Sequence, residues 1–143
     1  MKLSEHFSLE ELTVSESAAR KGLDNTPNSV VLDNLKKLAE WLEAFRALIN
    51  KPVSINSAYR SPEVNASVGG SKTSQHCLGQ AADIRVKDMS PDEVVKFIIL
   101  SGLPYDQVIR EFDSWTHISI SDKPRKQALI IDKSGTRPYT IKA

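Results

Sequence analysis

The chain of 143 residues has a single cysteine, Cys77, and no apolar run long enough to cross a bilayer. One thiol excludes an internal disulfide and any metal cluster built from several cysteines, so a metal held here must take histidine and carboxylate ligands. The opening MKLSEHFSLEELTVS is broken by Glu5, His6, Glu10 and Glu11 and lacks the apolar core of a secretory signal. The expectation is therefore a protein left in the cytoplasm at synthesis, with no signal peptide and no stable membrane insertion. A dominant charge is also missing: 19 basic side chains stand against 18 acidic ones, a formal +1, which gives nucleic acid no support as a partner. The distribution is less even. Lys123, Arg125, Lys126, Lys133, Arg137 and Lys142 crowd the last stretch against the lone acid Asp132, a basic tail that reads first as a solvated face. With 40% apolar and 26% charged residues and no repeat, linker or low-complexity segment, the composition fits one globular domain over 1–143, expected to be a monomer.

Two short helices are expected first: Ser8 and Glu11 make a capping-box pattern, and SESAARKG stops at Gly22. Thr26 and Pro27 signal the start of a longer helix. Along it Val31, Leu35, Leu38, Leu42, Phe45 and Ile49 recur at spacings of four and three, which places them on one face. PVSINSAYR alternates with the two-residue period of a strand, Val53, Ile55, Ser57 and Tyr59 on one side. A short helix from Pro62 to about Val68 ends at Gly69 and Gly70, and GSKTSQHCLGQ reads as an ordered loop leading into the strand AADIRV. Ser90, Pro91 and Glu93 open a helix that ends at Gly102. DQVIREF and WTHISIS read as two strands with a tight link, FDSW, whose corner falls on Asp113 and Ser114, and a last hairpin is expected around Lys133, Ser134 and Gly135. Helices first and strands later give an α+β class, with a mainly antiparallel sheet and helices packed on one face.

Period two puts Asp83 with Ala81 and Arg85, away from the apolar set Ala82, Ile84 and Val86. It likewise puts His117 with Trp115 and Ser119, opposite Thr116, Ile118 and Ile120. His76 precedes Asp83 by seven residues across a turn containing Gly79. Two imidazoles and one carboxylate form a three-ligand zinc set whose fourth position is left for water, the pattern of a catalytic metal on the open face of the sheet.

The runs SAYRSPEVN, VGGSKTSQHCLGQAADIRV and IREFDSWTHISI resemble the motifs of the zinc peptidases that include D-Ala-D-Ala carboxypeptidases and phage L-alanyl-D-glutamate endopeptidases. The opening FSLEELTVSESAARKGLDNTP is similar to the start of a compact branch of that family, so the likeness covers most of the chain. It implies one Zn2+ per chain on His76, Asp83 and His117, within an S-x-H-x6-D pattern that begins at Ser74 and a W-x-H pattern that begins at Trp115. It also implies an arginine that orients substrate, matched by Arg60 of Y-R-S, and an acidic proton acceptor. Many members place that acid three residues before the last histidine, where this chain has Ser114. Glu111 is the choice by the longer spacing, and Asp113 is its rival.

The expected activity is hydrolysis of peptidoglycan stem peptides by an endolysin-like L-alanyl-D-glutamate endopeptidase that reaches the cell wall after release. The alternatives are a D-Ala-D-Ala carboxypeptidase and a zinc-stabilised wall-binding domain without turnover. Several residues carry two readings. Trp115 lines the substrate groove or packs beneath it, and Tyr59 stabilises an oxyanion or fills the core. Ser74 is counted with the substrate contacts, Cys77 reads first as a small buried thiol, and His6 reads as a solvated side chain.

Overall fold

The computed structural model describes residues 1–71 and 73–141. Lys72 of the GSKTSQH loop and Lys142 of the basic tail lie outside the described residues. The chain is α+β, as expected, and forms two compact units, residues 1–43 with 57–82 and residues 44–56 with 83–143. No helix among the described residues is long and apolar enough to cross a membrane.

The first unit holds the helices α1 (Leu9–Thr13), α2 (Glu16–Lys21) and α4 (Pro62–Ser67), together with a 3-10 turn at Gln75–Leu78. Each of these short elements opens on a serine, Ser8, Ser15, Ser61 or Ser74, whose hydroxyl accepts a backbone N–H that the helix leaves unpaired. Only half of the expected box at Ser8 forms, the bond from Glu11 N at 3.1 Å. The long helix α3 (Ser29–Ile49) begins two residues later than Thr26 and Pro27 suggest, because the Asn28 carboxamide accepts from Val31 N at 2.9 Å and sets the cap there. Its predicted face is buried throughout, with Leu35, Leu38 and Leu42 fully enclosed. Side chains of that size contribute roughly 1.5–3 kcal/mol each when removed from water.

The second unit carries most of the sheet, whose strands β1 (Val53–Ser57), β2 (Ala81–Val86), β3 (Gln107–Glu111), β4 (Trp115–Ser119), β5 (Gln127–Asp132) and β6 (Gly135–Pro138) run in the order β1-β2-β4-β3-β5-β6. The expected hairpins β3–β4 and β5–β6 are antiparallel. The pairing of β3 with β5 is parallel, so the link from β4 to β5 is a crossover where the sequence suggested only hairpin-like turns. A buried Asp106 fixes that crossover: its carboxylate accepts from Arg125 N at 2.7 Å and from Arg125 Nη2 at 2.6 Å. Helix α5 (Pro91–Ser101) has the full capping box, Ser90 with Glu93, and stops at Gly102 with φ 80. It covers the face of β3 and β4 that bears Val108, Arg110, Thr116 and Ile118, Arg110 reaching Asp92 at 3.0 Å and Thr116 donating to Pro91 O at 3.4 Å. Phe97 of α5 also meets Phe45 edge to face, with ring centroids 6.0 Å apart.

Candidate metal and peptide site

Antiparallel pairing puts directly opposed residues on the same face. Ile109 opposes His117 and Glu111 opposes Trp115, so Glu111, Trp115 and His117 share the face of the hairpin away from α5. His117 Nδ1 lies 3.1 Å from Asp83 Oδ1 and 4.0 Å from Glu111 Oε1. The two atoms of His117 and Asp83 are within hydrogen-bond distance, with the role of the ring nitrogen depending on the His117 tautomer, and both are of the kind that ligates a metal. Asp83 is only 9% exposed, which departs from an open-face position. Strand β2 lies inside the sheet between β1 and β4, and of its side chains only Arg85 is exposed. Trp115 donates its indole N–H to Glu111 Oε2 at 3.0 Å and thereby fixes the carboxylate.

The tight link is real, but its corner is Phe112 and Asp113, each with φ 52, rather than Asp113 and Ser114. Ser114 N closes the turn onto Glu111 O at 2.9 Å. The Asp113 side chain is 72% exposed and pairs with Arg110 at 3.2 Å, on the opposite side of β3 from Glu111. Geometry thus separates the two acids that sequence spacing leaves together.

In the first unit His76 sits in the 3-10 turn, a short element that the sequence presents as loop. Ser74 caps it and accepts from His76 N at 3.2 Å, so this serine orders the backbone beside His76. Gly79 ends the turn with φ 72, where a Cβ would stand 2.9 Å from Val31 O. The buried His76 ring faces Ala58 O through Nδ1 at 2.6 Å. A carbonyl can only accept, so Nδ1 carries the proton and Nε2 of the neutral ring has the lone pair, the arrangement by which metal-binding histidines are oriented. His76, Asp83 and His117 are one of the sets of described side chains with the donor atoms to hold a metal ion. Glu5, His6 and Glu43 are another, but there His6 N and Nδ1 already take both Glu43 oxygens, at 2.7 and 2.6 Å. His6 is therefore paired rather than merely solvated.

Arg60 lies between braced neighbours. Tyr59 N donates to Leu12 O at 2.9 Å, Arg60 N to His76 O at 3.1 Å, and Ser61 N to Asn25 Oδ1 at 2.7 Å. Asn25 Nδ2 returns a bond to Tyr59 O at 3.2 Å, and Ser61 Oγ donates to Asp24 O at 2.9 Å. Asn25, in the turn-forming run LDNTP, and Ser61, the serine of Y-R-S, both lie in the runs that carry the family resemblance, but sequence reasoning assigns neither a role beside Arg60. Arg60 Nε is buried and has no hydrogen-bond partner among the described residues. Tyr59 is buried, and that burial raises its hydroxyl pKa above the usual value, an environment that fits packing. Cys77 is half-buried, and its thiol pKa is also raised by burial.

The family model of peptidase M15 matches residues 5–119. The chain belongs to the peptidase M15 family. All eight residues singled out above for the site lie within that match, while β5 and β6 lie beyond it. This M15 chain is also 43% identical over 44 residues to the zinc D-Ala-D-Ala carboxypeptidase of Streptomyces albus G, a stretch that is 30% of the chain. The stretch spans 17% of the length of that relative.

Proposed function

We propose that this M15 chain is a zinc-dependent hydrolase of bacterial cell-wall peptides, with His76, Asp83 and His117 as the metal ligands. The observation that carries the reading is the 3.1 Å approach of His117 Nδ1 to Asp83 Oδ1 beside the Glu111 carboxylate. The zinc-dependent relative from Streptomyces albus G supports the choice of metal. The donor set fits zinc: two imidazoles and a carboxylate, no cysteine ligand, and His76 turned by a backbone carbonyl so that Nε2 has the lone pair. Bound there, zinc supplies Lewis acidity toward the scissile carbonyl.

The remaining work falls to the chain's own side chains. Glu111, held by the Trp115 indole, takes the proton of the attacking water and delivers it to the leaving amine. Arg60 brings a buried guanidinium N–H with no partner among the described residues, a state that costs on the order of 1–3 kcal/mol. The planar guanidinium fork suits a substrate carboxylate or a polarised carbonyl oxygen. Ser74, Asn25 and Ser61 act through the backbone, ordering His76 and Arg60 rather than touching substrate.

Among stem-peptide bonds the reading favours L-alanyl-D-glutamate cleavage of the endolysin type, in line with the motif resemblance. The near alternative is removal of the terminal D-alanine, which the name of the Streptomyces relative favours. Digestion of purified muropeptides followed by mass spectrometry separates them. New D-glutamate amino termini support the endopeptidase, free D-alanine alone the carboxypeptidase, and an unchanged digest would leave a wall-binding domain in place of an enzyme.

A further inference from the structure

The hairpin that carries Glu111, Trp115 and His117 turns through Phe112 and Asp113, both with φ 52. Turns with positive φ at both central positions take Asn, Asp or Gly, because the Cβ of an L-residue crowds the neighbouring carbonyl, which Gly avoids and the short polar side chains of Asn and Asp offset by local hydrogen bonds. Asp113 obeys that rule and Phe112 breaks it. A bulky aromatic at this φ persists only where its surroundings hold it there. They do so through backbone and polar bonds: Phe112 N to Ile131 O at 2.9 Å, Ser114 N to Glu111 O at 2.9 Å and Ser114 Oγ to Phe112 O at 3.2 Å. Arg85 Nε adds a bond to Ser114 O at 2.7 Å, and the Arg110 to Asp113 pair ties the other corner.

None of these bonds uses the ring. Phe112 is 52% exposed, so the residue contributes strain without filling the core, at the position next to Glu111. Local rules broken in this way concentrate at functional positions.

We propose that Phe112 is a substrate-binding residue, its ring receiving the alanine methyls of the stem peptide beside the scissile bond; this rests on the stem-peptide function proposed above. A ring on a pinned turn is presented without the entropy cost of ordering a loop, which suits a rigid apolar anchor. Its contribution is the same for the bound substrate and the transition state, so its loss acts on KM and not on kcat.

The test uses the zinc-loaded full chain and a soluble stem peptide free of glycan. Phe112→Asn is expected to raise KM about fivefold or more while kcat stays within about twofold. It should also raise Tm by about 2–4 °C, since asparagine tolerates the left-handed backbone. Phe112→Tyr keeps the ring and should keep the parental KM. An unchanged KM in Phe112→Asn, a fall in its Tm, or a KM rise confined to glycan-bearing muropeptides would each overturn the assignment. Failure of the parent itself to cleave any stem peptide would instead bring down the proposed function on which the assignment rests.

Discussion

Replacing Glu111 by glutamine and, in parallel, Asp113 by asparagine separates the two acids that compete for the role of proton acceptor. Glutamine keeps the shape of Glu111 and can still accept the Trp115 indole N–H now bound at 3.0 Å, so the hairpin and the metal should stay intact. What it lacks is a basic oxygen. General-base catalysis is worth about 10²–10⁴ in rate, and the lower end, a hundredfold, is about 2.7 kcal/mol of barrier. Asp113 is 72% exposed and pairs with Arg110 at 3.2 Å, but Arg110 also holds Asp92 at 3.0 Å. Losing a surface pair of that kind costs about 0.2–1 kcal/mol of stability, and asparagine is at ease at positive φ. Steady-state kinetics on soluble stem peptide, with zinc measured in each preparation, should show Glu111→Gln slower by a hundredfold or more and Asp113→Asn within a few fold of the parent. The reverse ranking at equal zinc content would refute the assignment and give the role to Asp113.

Arg60→Lys should retain zinc yet turn over at least about tenfold more slowly, because a point charge cannot reproduce a planar two-donor contact; unchanged kinetics would leave Arg60 a structural side chain. Gly79→Ala should cost about 2 kcal/mol or more in thermal unfolding, since φ is 72 and the new Cβ would meet Val31 O at 2.9 Å, and an unaltered Tm would contradict that geometry. Asp132 is held down to about 2 by its hydrogen bonds to the Arg137 guanidinium and then to Ser134 N. Its folded value lies below the usual 3.8, so the stabilisation is complete above that pH and is lost as pH falls toward 2. A carboxyl NMR titration should place the midpoint near 2 and move it upward in Arg137→Ala.

The parts legible in the sequence are those where one physical signal acts alone. The spacing from Val31 to Ile49 fixes the buried face of α3, and the Ser90, Pro91 and Glu93 cap opens α5, because both depend on local periodicity or local hydrogen bonds. The parity of Glu111, Trp115 and His117 reads as one face for the same reason. Features decided by distant partners do not read. The 3-10 turn around His76 is too short to show a period, and the parallel placement of β5 depends on the Asp106 to Arg125 clip across nineteen positions. Burial of Asp83 follows from the interior place of β2 in the sheet, which alternation within AADIRV cannot reveal. The corner of the β3–β4 turn was displaced by one residue because Phe112 takes a conformation that its side chain disfavours.

Metal content measured together with hydrolysis tests the central claim most directly. The account predicts about one zinc per chain, loss of stem-peptide cleavage on chelation, recovery on adding zinc, and loss of both metal and activity in His117→Ala, where two protein ligands would remain. Full activity in demetallated protein, or undiminished tightly bound zinc in His117→Ala, would contradict it.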